Sequence, residues 1–186
     1  MKRTLFATVA GTILVAAAFA QTTEVGARRE NQQDRIAQGV GSGSLTAGET
    51  ANLERKESAI NQEVRTDRTL NGGHLTNQER STVNSQQNAM SRQIYQDKHN
   101  AATQHYGNNE VDARRQNQQQ RIANGISSGR LSAGETARLE KGESAINHET
   151  RTDRQTNGGH LTGSEKAQIN HQQNAMSRKI YNKKHN

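Results

Sequence analysis

The 186-residue chain has no cysteine, no proline and no tryptophan, and aromatic residues make up only 3% of it. Without cysteine there can be no disulfide framework, no thiolate zinc site, no c-type haem attachment and no thiol nucleophile. Both phenylalanines, Phe6 and Phe19, lie close to the N-terminus, so Tyr95, Tyr106 and Tyr181 are the only aromatics in the rest. That leaves no series of rings on which bases could stack. Long apolar runs are equally scarce. Mean hydropathy is −1.08, and nothing after residue 20 approaches the roughly 20 apolar residues of a membrane-spanning helix. So few apolar side chains place the composition near that of disordered chains, and a fold must draw on something besides a large core.

What is present begins with a leader. Lys2 and Arg3 precede an apolar run from Leu5 to Ala18, and Ala18-Phe19-Ala20 stands just before Gln21. A basic start, a short apolar stretch and a small-residue cleavage site predict a signal peptide over residues 1–20, and hence a secreted or periplasmic product. Its removal lowers the formal net charge from +7 to +5.

The remainder is a tandem duplication. Residues 24–100 align with residues 110–186 at an offset of 86, with about two-thirds of positions identical. The domain reading is therefore a repeat unit over 21–100, a linker over 101–109 and a second unit over 110–186. Inside each copy runs a weaker period of 30, which sets Leu45, Leu53, Ile60 and Val64 against Leu75, Val83, Met90 and Ile94. That spacing is a helical stripe. Each stripe opens on Ser or Thr with Glu three residues later: Thr46 and Glu49, Thr76 and Glu79, Ser132 and Glu135, Thr162 and Glu165. Four capping boxes thus mark four helix N-termini.

Ahead of the first box, Val25, Ile36 and Val40 keep one apolar line. Each copy accordingly reads as three helices, about 25–38, 47–66 and 77–98 in the first, with the last running on toward Tyr106. Gly39, Gly41, Gly43, Gly72 and Gly73 are read as helix stops, because glycine adopts the positive φ that ends a helix at little cost. No segment alternates with period 2, so strands are not expected. The fold class is all-α.

The stretch Asp67-Arg-Thr-Leu-Asn-Gly-Gly-His-Leu-Thr-Asn-Gln-Glu79 has an acid at each end and a glycine pair in the middle, and Asp153 to Glu165 repeats it. Placed between helices, it resembles the calcium loop of the EF-hand family. The register departs by one residue, since counting back twelve from Glu79 reaches Arg68. The resemblance implies oxygen donors from Asp67, Thr69, Asn71, Thr76 and Glu79, and from Asp153, Asn157, Thr162 and Glu165. With two carboxylates per loop, calcium affinity would lie in the roughly 10⁻⁴ to 10⁻³ M range of extracellular modules. Plain capped turns are the alternative.

More widely, SG-x-LT-x-x-E, then NGG-x-LT-x-x-E, then the helix Gln86-Gln87-Asn88-Ala89-Met90-Ser91-Arg92-Gln93-Ile94-Tyr95 resemble exported bacterial proteins with EF-hand-like helical repeats. The fold implied is two tandem three-helix EF-hand-like units.

The seven histidines show neither zinc-finger spacing nor a helical His pair, and no nucleophile elbow, Walker loop or His-Glu-x-x-His motif occurs. No catalytic residue or small-molecule substrate is expected. Basic pairs at Arg28-Arg29, Arg114-Arg115 and Lys183-Lys184 suit loose adhesion to polyanions, but acids are interspersed, so specific nucleic-acid binding is not expected. Glu54, Glu57 and Glu63, mixed with Arg55, Lys56 and Arg65, read as a solvated face.

Neither copy looks like a terminal cap. Head-to-tail packing of the copies would then continue between chains and give a homo-oligomer or filament. The functional expectation is an exported, non-enzymatic structural or self-assembling repeat protein stabilised by calcium. The alternatives are a monomeric calcium-binding or sensing protein and a basic polyanion-adhesion module.

Overall fold

The computed structural model describes the backbone of residues 12–185 and the side chains of residues 24–185. The predicted signal segment, residues 1–20, therefore lies outside the described side chains. Six α-helices follow one another: α1 (Thr12–Ser42), α2 (Ala47–Leu70), α3 (Asn77–Lys98), α4 (Glu110–Ser127), α5 (Ala133–Thr156) and α6 (Gly163–Lys184). Among the described residues there is no strand, and no helix is long and apolar enough to cross a membrane.

All four capping boxes form. Thr46, Thr76, Ser132 and Thr162 sit at N-caps in extended backbone, each accepting from the backbone N–H of the glutamate three residues on. Each glutamate reaches back to the cap's own N–H, at 2.9, 2.7, 3.2 and 2.8 Å. Two otherwise orphaned donors are thereby satisfied at each helix start.

Two boundaries differ from the sequence reading. The first helix runs through Gly39 and Gly41 and turns only at Gly43, where φ is +75°. Gly39 serves a close approach: a Cβ there would stand 2.6 Å from Leu45 Cδ1. The third helix stops at Lys98 and does not continue toward Tyr106. Asn100 ends it by turning back on the chain, its Oδ1 accepting from Ala102 N at 2.7 Å while its Nδ2 donates to Glu49 Oε1 at 2.7 Å.

Within each copy, a ladder of buried amides ties the first helix to the third. Gln32 Nε2 donates to Gln87 O (2.7 Å) and to Ser91 Oγ (3.0 Å), and Gln87 Nε2 donates to Val25 O (3.0 Å). Gln118, Gln173, Ser177 and Val111 repeat these bonds. Such hydrogen-bonded amides hold helices together where apolar side chains are few, which is how so polar a chain builds an interior.

The apolar core is mostly shared between copies. One cluster contains Ile36, Leu53, Ile94, Ile122, Leu139 and Ile180 with their neighbours, and a smaller one gathers Val25, Ile60, Val64 and Val83 at the far end of the first copy.

Across the copies, α1 packs on α4 and α2 on α5. This pairing is reciprocal. A Cβ on Gly48 would lie 3.5 Å from Ser144 Oγ, and one on Gly134 would lie 3.2 Å from Ser58 Oγ. Positions 48 and 134 are equivalent by the repeat, as are 58 and 144. Residue i of one copy therefore meets j of the other while j meets i, which is the signature of a closed two-fold contact. Head-to-tail packing would not produce it. The faces of α1 and α2 in the first copy are thus packed against those of α4 and α5 in the second.

Candidate functional site

The two loops read as calcium sites lie at the α2–α3 and α5–α6 turns. In the first, Glu79 is engaged from within the loop. Thr76 N donates to its Oε2 at 2.7 Å, and Asn71 Nδ2 donates to both carboxylate oxygens at 2.9 Å. These bonds hold the Glu79 carboxyl below its ordinary pKa, the Thr76 backbone bond being the largest cause. Asn71 thus presents its amide nitrogen to the carboxylate. Thr69 points away, its hydroxyl donating to Arg65 O at 2.8 Å.

Asp67 keeps its carboxylate free of hydrogen bonds among the described residues, and its pKa is raised by desolvation and then by the neighbouring charges of Glu79 and Glu63. The second loop repeats this arrangement. Asn157 Nδ2 spans Glu165 at 2.9 and 2.8 Å, Thr162 N donates to Glu165 at 2.8 Å, and Asp153 is raised by desolvation, Glu165 and Glu149. Among the described residues no group of three or more His, Cys, Asp or Glu gathers to hold a metal ion. Of the nine predicted donors, then, the fold brings Asn71, Thr76 and Glu79 together, and likewise Asn157, Thr162 and Glu165, through the capping chemistry itself.

The histidines are surface features where they bond. His99 and His185 stack on Tyr95 and Tyr181 with ring centroids 4.2 Å apart. The basic pairs are largely occupied as well: Arg28 with Glu24 and Arg114 with Glu110, each at 3.1 Å, and Lys183 with Glu135 at 3.4 Å.

The chemistry missed by the sequence reading lies in the middle of the α2–α5 contact. Glu54 and Glu57 on α2, and their equivalents Glu140 and Glu143 on α5, are fully buried. The solvated face expected there is correct for Arg55 and Lys56, which are exposed, but not for these glutamates. The signal was available. The apolar stripe skips from Leu53 to Ile60, and the helical position between them, 57, carries a carboxylate in both copies.

Gln33 Nε2 donates to Glu54 Oε2 at 3.1 Å, and Gln119 Nε2 to Glu140 Oε2 at 3.0 Å. Both oxygens of Glu57 and of Glu143, and one each of Glu54 and Glu140, have no partner. A buried carboxylate in that state favours its neutral form, because losing solvent penalises the charge. Burial accordingly pushes Glu54 up to about 8, with the Glu57 charge adding to it and the Gln33 bond opposing. Glu57 rises to about 7 by burial, tempered by Arg29. Glu143 rises to about 8 against the pull of Arg115 and Arg121, and Glu140 is raised well above its ordinary value by burial, with Glu143 and Glu54 contributing.

Glu140 is influenced by Glu54, so the carboxyls of the two copies communicate across the pseudo-two-fold. The result is a layer of four acids able to hold protons near neutral pH at the surface where the copies meet.

No protein-family model, no curated protein and no solved structure matches the chain.

Proposed function

We infer that the protein is a non-enzymatic helical structural module that acts outside the cytoplasm as a fused pair of repeat units. The cohesion of that pair is set by the proton concentration of its surroundings. The observation that carries this reading is the carboxylate layer: Glu54, Glu57, Glu140 and Glu143 lie fully buried in the α2–α5 contact. An interface intended only for strength would fill those positions with apolar side chains, since burying unpartnered carboxyls costs stability. Placed where two equivalent halves meet, they make the contact firm when protonated and strained when charged. A compartment whose pH follows the external medium is where such a contact matters.

The test is sedimentation velocity combined with urea unfolding from pH 5 to pH 9. This reading expects a constant monomeric mass at every concentration, with an unfolding midpoint that falls as pH rises. Mass growing with concentration would favour the self-assembling reading instead.

A second reading keeps calcium at the α2–α3 and α5–α6 turns. It is favoured by Asp67 and Asp153, whose carboxylates lie against like charges that a cation would relieve. To bind there, calcium has to displace the Asn71 or Asn157 amide from the capping glutamate. An unfolding midpoint raised by millimolar calcium, and not raised in Asp67→Asn/Asp153→Asn, would establish it by mass action.

A further inference from the structure

The linker between the copies lies in a groove, and the equivalent groove on the other side of the pseudo-two-fold is open among the described residues. Along the first, Gln104 N donates to Gly43 O at 2.8 Å and Arg115 donates to His105 O. The Arg115 guanidinium covers the Tyr106 ring, 4.9 Å from its centroid. Tyr106 is thereby carried to the edge of the carboxylate layer, where its hydroxyl is buried. Three consecutive residues thus give an N–H, a carbonyl and a ring.

Every group that receives them is duplicated. Gly129, Arg29, Glu54 and Glu57 are the repeat equivalents of Gly43, Arg115, Glu140 and Glu143. A Cβ on Gly43 would stand 3.1 Å from Gln104 O, whereas one on Gly129 would meet nothing within 4 Å. Both glycines hold positive φ, +75° and +67°, so the two turns present the same backbone. Arg115 is 9% exposed under the linker, whereas Arg29 is exposed and, among the described residues, makes no side-chain hydrogen bond or ion pair.

A cleft of about 480 Å³ lies at Arg29, with Gln33, Asn61 and Arg65 on one side and the turn from Ile126 to Ala133 on the other. Among the described residues nothing crosses it, since α1 is continuous from Thr12 to Ser42 whereas α4 is entered from the linker.

We propose that this cleft is the docking site for an extended tyrosine-bearing segment of a partner protein, held as the linker is held in the equivalent groove. One residue of the segment donates its N–H to Gly129 O, the next offers its carbonyl to Arg29, and a following tyrosine lies beneath the Arg29 guanidinium. The intramolecular occupant supplies the template. An anion is a poorer match, because Glu30 and Asp34 line the cleft beside Arg29 and Arg65. A second copy is poorer too, since its linker is tied at both ends and already seated.

The experiment uses a fluorescein-labelled peptide of residues 100–107, blocked at both ends, titrated with the chain and followed by anisotropy. Saturable binding is expected, weakened at least tenfold by Arg29→Ala, unchanged by Arg115→Ala, and lost when the peptide tyrosine becomes alanine. A covalent version, with residues 101–107 fused after Asn186, raises the effective concentration of the segment. It should shift the Gly129 amide resonance and raise the urea midpoint, whereas the fusion lacking tyrosine should do neither. Arg29 is exposed, so circular dichroism of Arg29→Ala should match the parent. The proposal is overturned if neither version binds, if Arg115→Ala abolishes binding while Arg29→Ala does not, or if inorganic phosphate displaces the peptide.

Discussion

Glu57→Gln tests the carboxylate layer most directly. In the folded protein Glu57 has a pKa of about 7 against an ordinary 4.5, a rise caused first by burial. A group raised in this way contributes stability that is complete below the unfolded pKa and is lost as pH climbs through the folded one. The difference for Glu57 alone corresponds to about 3 kcal/mol lost between mildly acidic and alkaline pH. Glu54 and Glu143, raised to about 8, extend the loss beyond pH 8. The opposite limb comes from Glu79, Glu135 and Glu165, whose depressed pKa values give stability present above the unfolded value and lost as pH falls toward the folded one. The two limbs meet at the unfolded carboxyl value, so the optimum lies at about pH 4.5.

Glutamine keeps the shape of Glu57 and removes its titration. Urea unfolding followed by circular dichroism at pH 4.5, 7 and 9 should find the variant within about 1 kcal/mol of the parent at pH 4.5. At pH 9 it should be more stable by about 3 kcal/mol, or roughly 6 to 12 °C in midpoint for a chain of this size. A parent protein that is equally stable at pH 4.5 and pH 9 would refute the reasoning. So would a variant destabilised by the same amount at every pH.

Other predictions follow from the local structure. Thr46→Ala and Ser132→Ala each remove an N-cap hydroxyl that accepts from the Glu49 or Glu135 backbone N–H, and each should lower unfolding free energy by about 1 kcal/mol in urea titration. Gly39→Ala forces a methyl to within 2.6 Å of Leu45 and should cost about 1 to 3 kcal/mol by the same measurement, although alanine is the better helix former. Asn71→Ala frees the Glu79 carboxylate from its amide clamp, and isothermal titration should find tighter calcium binding than in the parent if the turn is a cation site. Gln32→Leu breaks two bonds between α1 and α3, removing the side-chain donor to the Gln87 carbonyl and to Ser91, which should cost about 1 to 3 kcal/mol.

Much of the fold could be read from the chain. The four helix starts follow from Ser or Thr with Glu three residues later, because that pairing satisfies the orphaned N–H groups at a helix end whatever surrounds it. The stripe from Leu53 to Val64 marks a buried face, and the duplication fixes that both halves share one local structure. These are short-range effects, and sequence carries them well. The stripe carries α3 to Lys98, but what keeps it from running on toward Tyr106 is Asn100, held partly through Glu49, a residue 51 positions away. Gly39 is not a helix stop, because its small size answers to Leu45 and not to its own φ.

How the copies meet belongs to the tertiary structure alone. A sequence repeated in tandem permits both open head-to-tail packing, which joins two different patches of the repeat, and closed reciprocal packing, which joins one patch to itself. Only the approach of α2 to α5 decides between them. That approach also decides the fate of Glu54 and Glu57. A glutamate beside arginine or lysine on an isolated helix faces water, whereas the same glutamate against an equivalent helix loses its solvent and meets carboxyls of its own kind. The side chain is a property of the sequence, but its charge at neutral pH depends on which surface of the partner copy comes to lie upon it.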